Sequence, residues 1–258
     1  MPNGQRQHVI AGNWKMYKTI QDTEAYVKEL TPLVADSDVS VFLSVPFTAI
    51  RSASEAAKGS NIHIGAQNMN DVTEGAFTGE IAGRMLVEAG ANFVIIGHSE
   101  RRHIFGESDA FINRKVRRSL DDGLIPILCI GETLEQRDSE STEAILKEQL
   151  SQSLADIQSD QTSKILIAYE PVWAIGTGKT ATPEHAQEVH VFIRETIKEL
   201  WGEDNADKTT IMYGGSVKPN NARHLMEQPD IDGLLVGGAS LNVESFSHIV
   251  HYQNALTH

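Results

Sequence analysis

A chain of 258 residues, 40% of them apolar and 22% charged, can build a sizeable globular core as one large domain or two ordinary ones. Its formal charge of −13 excludes general nucleic-acid or membrane-surface binding, since both need a basic face, so an anionic ligand must be met by local positive groups. The lone cysteine, Cys129, has no partner for an intramolecular bridge, the first residues lack an apolar secretory segment, and the apolar runs fall far short of the roughly 20 residues of a membrane span. These features lead to the expectation of a soluble, cytoplasmic protein.

In chain order, short apolar runs bounded by turn residues predict strands at 8–13, 39–45, 62–66, 92–97, 124–130, 164–170, 209–214 and 232–237. Most are continuous rather than alternating, the pattern of strands buried on both faces of a parallel sheet. Segments with helical spacing lie between them. The stretch 182–200 is the plainest: Thr182 can cap it, Pro183 suits its first turn, and Val189, Phe192, Ile193, Ile197 and Leu200 fall on one face. Eight strands alternating with helices at this length predict an α/β fold of the closed (β/α)₈ barrel type, a single domain over 1–258. An open doubly wound sheet is the rival, disfavoured because no strand is followed by a G-x-G-x-x-G fingerprint.

In such a barrel the loops after the strands form the reactive face. The first strand runs into Asn13 and Lys15, the fourth into His98, Ser99 and Glu100, and the sixth into Glu170. Each has an ordinary explanation: a solvated lysine, a satisfied core histidine, a capping carboxylate. Their convergence at the same ends of three strands favours a site. Gly214, Gly215 and Ser216 follow the seventh strand, and Gly237, Gly238 and Ser240 follow the eighth. In barrels these two loops often hold phosphate on bare backbone N–H groups, which lets an acidic protein bind an anion, although paired glycines also simply turn a chain.

The segment YEPVWAIGTGK (169–179) ends like a phosphate-binding loop, but the glycine that motif needs at 173 is Trp. No metal-binding motif is present, and Lys164, at the start of its strand, is badly placed for the Schiff base of a phosphosugar aldolase. Proton transfer on a small phosphorylated carbonyl compound is the reading of these residues; an aldolase and a phosphate-ligand binding module are its rivals.

The blocks GNWKM (12–16), GAFTGE (75–80), IGHSERR (96–102), CIGETLEQR (129–137), YEPVWAIGTGK (169–179), YGGSVKP (213–219) and LLVGGASL (234–241) run in order along the chain. They closely resemble the triosephosphate isomerase family. The resemblance implies cofactor-independent interconversion of dihydroxyacetone phosphate and glyceraldehyde 3-phosphate, in glycolysis and gluconeogenesis. It implies Glu170 as the base, His98 as a neutral electrophile, and Lys15 and Asn13 as groups that bind and polarise the substrate. Gly176, Ser216, Gly237 and Gly238 are implied as phosphate-binding positions, with Glu100 and Cys129 in support. It further implies a homodimer in which the long loop 67–79 enters the partner near Lys15, with Thr78 supporting the site. The apolar residues Val172 to Ile175, followed by Gly176 and Gly178, read as a lid able to exclude water, or alternatively as a rigid packed connection. Gly83, Arg84, Met85, Asn242 and Val243 lie outside these chemical blocks, and the sequence attaches no mechanism to them.

Overall fold

The computed structural model describes residues 6–175 and 181–254. Eight strands, β1 (Val9–Asn13), β2 (Ser40–Ser44), β3 (Ile62–Ala66), β4 (Phe93–Ile96), β5 (Ile125–Ile130), β6 (Leu166–Tyr169), β7 (Ile211–Tyr213) and β8 (Gly233–Val236), pair in parallel and in sequence order. The ring closes where β1 meets β8, with Val9 opposite Gly233 and Gly12 opposite Val236. This is the (β/α)₈ barrel. Each predicted strand is trimmed by at most two residues at its start and one at its end. The residues trimmed at the ends, among them Gly97, Glu170, Gly214 and Gly237, have left the ladder and stand at the mouth of the barrel.

The continuous hydrophobicity of the strands has a two-sided cause. One set of side chains, including Val9, Ala11, Phe42, Phe93, Ile95, Ile127, Ala168, Met212 and Leu235, fills the barrel interior. The alternate set, including Ile10, Val41, Leu43, Val94, Ile96, Leu128, Ile167 and Ile211, packs outward under the helices. Two glycines make room for this packing. A Cβ on Gly65 would stand 2.5 Å from the Phe93 ring, and one on Gly233 would stand 2.2 Å from the Val9 carbonyl at the closing seam.

The predicted helix at 182–200 is observed as Pro183–Trp201, with Thr182 Oγ1 accepting the His185 N–H and Pro183 in the first turn. Val189, Ile193 and Ile197 are buried as expected and Phe192 packs partly buried against the same core, but Leu200 is 39% exposed. His190 and Arg194 take buried places instead, anchored to Asp230 and Asp232. Among the described residues no helix is long and apolar enough to cross a membrane.

The long loop after β3 is closed at its base by Asn70, whose N–H donates to the Ile81 carbonyl and whose Nδ2 donates to Glu80. Three of the residues for which the sequence offered no role, Gly83, Arg84 and Asn242, acquire structural ones. A Cβ on Gly83 would lie 2.3 Å from Asp122 Oδ2, so glycine lets that carboxylate approach the start of the helix Gly83–Ala89. Arg84 ties the helix to Thr73 and Glu74 in the loop. Asn242 caps the helix Val243–Val250 by accepting the Ser245 N–H.

Candidate active site

β1 ends on Asn13, which is 5% exposed. Its Oδ1 accepts the Lys15 N–H at 3.0 Å, and this short bridge stabilises a left-handed turn with Lys15 at φ 52°. That unusual backbone aims the side chain inward, where Lys15 Nζ meets Glu100 Oε1 at 2.7 Å. The Lys15 side chain also passes Gly237, whose missing Cβ would lie 3.9 Å from Lys15 Cε.

β4 ends on Ile96, Gly97 turns with φ 71°, and His98 becomes the N-cap of the short helix Ser99–His103. Its Nδ1 accepts the Glu100 N–H at 3.2 Å. A ring nitrogen that accepts cannot also carry a proton, so the ring proton sits on Nε2. Nε2 donates to Glu170 Oε1 at 3.0 Å.

Glu170 follows β6, and its backbone N–H bonds to the Ile130 carbonyl at 2.7 Å. It is 2% exposed, and its Oε2 accepts the Ser99 N–H at 3.1 Å. Burial favours the neutral acid, but the His98 ring, the Ser99 N–H and Lys15 outweigh it and hold the carboxyl below the usual carboxylate range. For His98, burial works against a second ring proton while the contacting Glu170 charge works for it, and the net shift is upward. Were Glu170 to turn away from the ring, the burial would remain and the main support for an imidazolium would be lost.

Asn13, Lys15, His98, Glu170, Ser216, Gly237 and Gly238 line one cleft of about 500 Å³. Gly214 and Gly215 complete its wall, and Ile175 and Leu235 provide apolar edges. The cleft therefore joins a carboxylate, an imidazole N–H, an ammonium and an arc of glycine-rich backbone. Cys129 is buried beneath Glu170, and burial together with the Glu170 charge pushes its thiol pKa well up, so it stays protonated.

Two expectations are not gathered into this cleft, and a third lies outside the described residues. Glu100 lies at its rim, 40% exposed in its side chain and reached through Lys15. Thr78 is exposed on the loop after β3 and is not part of the wall. Gly176 lies outside the described residues, as does Gly178. Within the described part of that loop, Trp173 is not a cover over the cleft. It is 8% exposed, donates from Nε1 to Glu132 Oε1 at 2.7 Å, and stacks under Arg137 at 3.8 Å. The Val172 N–H is held by the Glu132 carbonyl, and Tyr169 Oη donates to the same carboxylate oxygen as Trp173. The start of the loop is thus a packed anchor, and only Ile175 reaches the cleft.

The reading of strand ends missed the groups that fix Glu170 from behind. A Cβ on Gly131 would stand 1.8 Å from the Glu170 carbonyl oxygen, and one on Gly214 would stand 2.8 Å from Glu170 Cγ. Gln149 pairs with both the N–H and the carbonyl of Gly131, at 2.8 and 3.0 Å. Glu132 is completely buried, and burial pushes its pKa up despite the bonds from Trp173 and Tyr169. Its position three residues after Cys129 in the CIGETLEQR block was the only signal the sequence offered. Among the described residues no group of three or more His, Cys, Asp or Glu side chains could hold a metal ion.

Comparison with known proteins gives the family. The family model described as triosephosphate isomerase matches residues 8–253. A protein named triosephosphate isomerase from Protochlamydia amoebophila is 53% identical over 251 residues, covering 97% of this chain and 95% of its own. Namesakes from Carboxydothermus hydrogenoformans and Chloroflexus aurantiacus are 54% and 51% identical over 246 residues, each covering 95% of this chain and 98% of its own. With the barrel closed, the cleft at its mouth and the match spanning nearly every residue, the chain belongs to the triosephosphate isomerase family.

Proposed function

We propose that Glu170, His98, Lys15 and Asn13 carry out the reaction of the family, with Ser216, Gly237 and Gly238 presenting backbone amides to the substrate phosphate. As a family member the chain interconverts dihydroxyacetone phosphate and D-glyceraldehyde 3-phosphate. The observation that carries the assignment is the buried Glu170 carboxylate, bonded to His98 Nε2 and the Ser99 N–H, in the same cleft as Lys15.

Chemistry connects these groups. Glu170 takes a proton from the carbon next to the substrate carbonyl. The released electron pair forms the carbon–carbon double bond of an enediolate and places negative charge on the former carbonyl oxygen. Lys15 Nζ and His98 Nε2–H meet that charge where it forms, and fixed donors of this kind usually supply the largest share of catalysis. The proton then returns from Glu170 to the neighbouring carbon. The accompanying proton exchange between the two oxygens falls to His98, whose one ring proton is held on Nε2. A neutral imidazole acting as an acid is a worked case in general accounts of this enzyme, and the Glu100 N–H on Nδ1 gives it a structural basis here. To serve as base, Glu170 must release His98 and Ser99; both oxygens are committed to them.

The same reading treats the chain as one domain, since its first and last strands close a single ring, and assigns no cofactor and a cytoplasmic location. It also includes a homodimer. Met16 is 94% exposed, Ile104 73%, Phe105 65% and Phe77 50%, an amount of apolar surface around the rim of the cleft and the loop after β3 that suits a partner surface. In that arrangement Thr78 would support the partner's site rather than its own.

The test is isomerisation of glyceraldehyde 3-phosphate by the wild type and by Glu170→Gln, with circular dichroism to confirm folding. A carboxylate base contributes about 10²- to 10⁴-fold. The expected result is a kcat lower by that factor in a folded protein; equal rates would remove Glu170 from the role.

A further inference from the structure

We infer that Arg102 is a positioning residue for His98, acting through a clamp on the two strand ends beneath the imidazole. The inference rests on the role given to His98 above.

Arg102 lies in the short helix that His98 caps, yet its side chain turns back under the barrel mouth and is only 8% exposed. Nε donates to the Gly97 carbonyl at 2.8 Å, Nη2 donates to the Cys129 carbonyl at 3.0 Å, and Nη1 pairs with Asp109. The β4–β5 ladder has its last rung at Ile96 opposite Leu128. Gly97 and Cys129 would be the next pair, so the guanidinium stands where the β4–β5 ladder stops and joins one carbonyl from each side of it, while Cys129 keeps its pairing with Ala168 of β6. Gly97 is glycine for two reasons: its φ is 71°, and a Cβ would stand 3.1 Å from Arg102 Nη2.

Gly97 immediately precedes His98. The carbonyl of His98 is itself held by the N–H groups of Arg101 and Arg102, and its Nδ1 by that of Glu100. With the Gly97 carbonyl also clamped, the peptide unit entering His98 cannot rotate, and Nε2 is aimed into the cleft. Only a planar fork can address two carbonyls and a carboxylate at once; a lysine ammonium could replace the charge but not this geometry. A misplacement of roughly 1 Å costs a reacting group on the order of 100-fold in rate. The competing explanation is a plain structural ion pair with Asp109, which also accepts Ser153 Oγ.

The experiment compares Arg102→Lys, Asp109→Asn and His98→Gln for kcat, KM, thermal midpoint and the ¹⁵N signature of the His98 ring. Should Arg102→Lys not fold, Arg102→Gln, which keeps a donor for one carbonyl, takes its place. Arg102→Lys is expected to lower kcat by about 30- to 100-fold with KM within threefold. Its ring nitrogens should shift from a single Nε2–H tautomer toward a mixture. Asp109→Asn should lower the midpoint but leave kcat within threefold. A kcat within threefold of wild type in the Arg102 variant, or an equal loss in Asp109→Asn, overturns the inference. Wild-type kcat in His98→Gln overturns instead the role of His98 on which the inference stands.

Discussion

A carboxyl group with 2% of its surface exposed should be a neutral acid, and Glu170 escapes that fate because three positive or hydrogen-donating neighbours surround it. Its orientation is set as much by missing atoms as by present ones. Gly214 leaves the space in which Glu170 Cγ lies, so Gly214→Ala should push the carboxylate aside without unfolding the chain. We expect kcat to fall by about 10- to 100-fold with a small change in thermal midpoint, measured by steady-state kinetics and calorimetry. Asn13, Lys15, His98 and Glu170 were legible in the sequence because each is a polar residue interrupting an apolar run at the same end of a strand. Gly131 and Gly214 were not legible as supports, because their contact with Glu170 depends on how β5, β6 and β7 lie side by side. Arg102 was visible only as one more arginine in IGHSERR; the two carbonyls it reaches come from different strands.

The helix Pro183–Trp201 shows what periodicity can and cannot reveal. Its cap, its first turn and four of its five proposed apolar contacts follow from local chemistry, with Phe192 partly buried against the core, whereas the burial of His190 requires Asp230 to arrive from a loop 40 residues away. His190 is completely buried between the Tyr169 and Tyr213 rings, and burial lowers its pKa from 6.5 to about 4, with Asp230 favouring the charged ring and Arg194 opposing it. The sign of its effect is set by that depression: above pH 6.5 the ring is neutral folded and unfolded alike. Below pH 6.5 the unfolded chain binds a proton that the folded chain refuses until about pH 4. Stability should therefore decline across this window, by ~3 kcal/mol from this residue alone. His190→Gln, which keeps a donor for the Asp230 carbonyl, should show a smaller decline between pH 6.5 and 4 in urea titrations. Parallel curves for the two proteins would exclude His190 as the source. The loop at 171–175 teaches the complementary lesson. Its apolar letters suggested a cover, but Trp173 carries an N–H that must be satisfied when buried, and Glu132 takes it inward.

For the whole molecule, the order and length of the apolar runs were enough to foresee the ring of eight strands, since a strand pattern buried on both faces has few stable arrangements. The proposed association of two chains could not be read in the same way; it depends on which apolar side chains remain outside. Phe105, 65% exposed beside the half-exposed Phe77 class of surface residues, is the place to test it. Phe105→Glu should weaken association by about 30-fold or more if this ring is a central anchor. Sedimentation at micromolar concentration reads the effect, and an unchanged mass would place the partner surface elsewhere. In the proposed dimer, two chains that each carry −13 also repel, so raising salt should tighten wild-type association. The seam between β1 and β8 carries a further consequence, in time rather than space. On the ribosome, β1 has one flank unpaired until residues 233–236 emerge, roughly 10 to 40 seconds after its own synthesis. During that interval the nascent chain presents an open sheet edge to its surroundings, and a translational pause late in the message would prolong its exposure to aggregation.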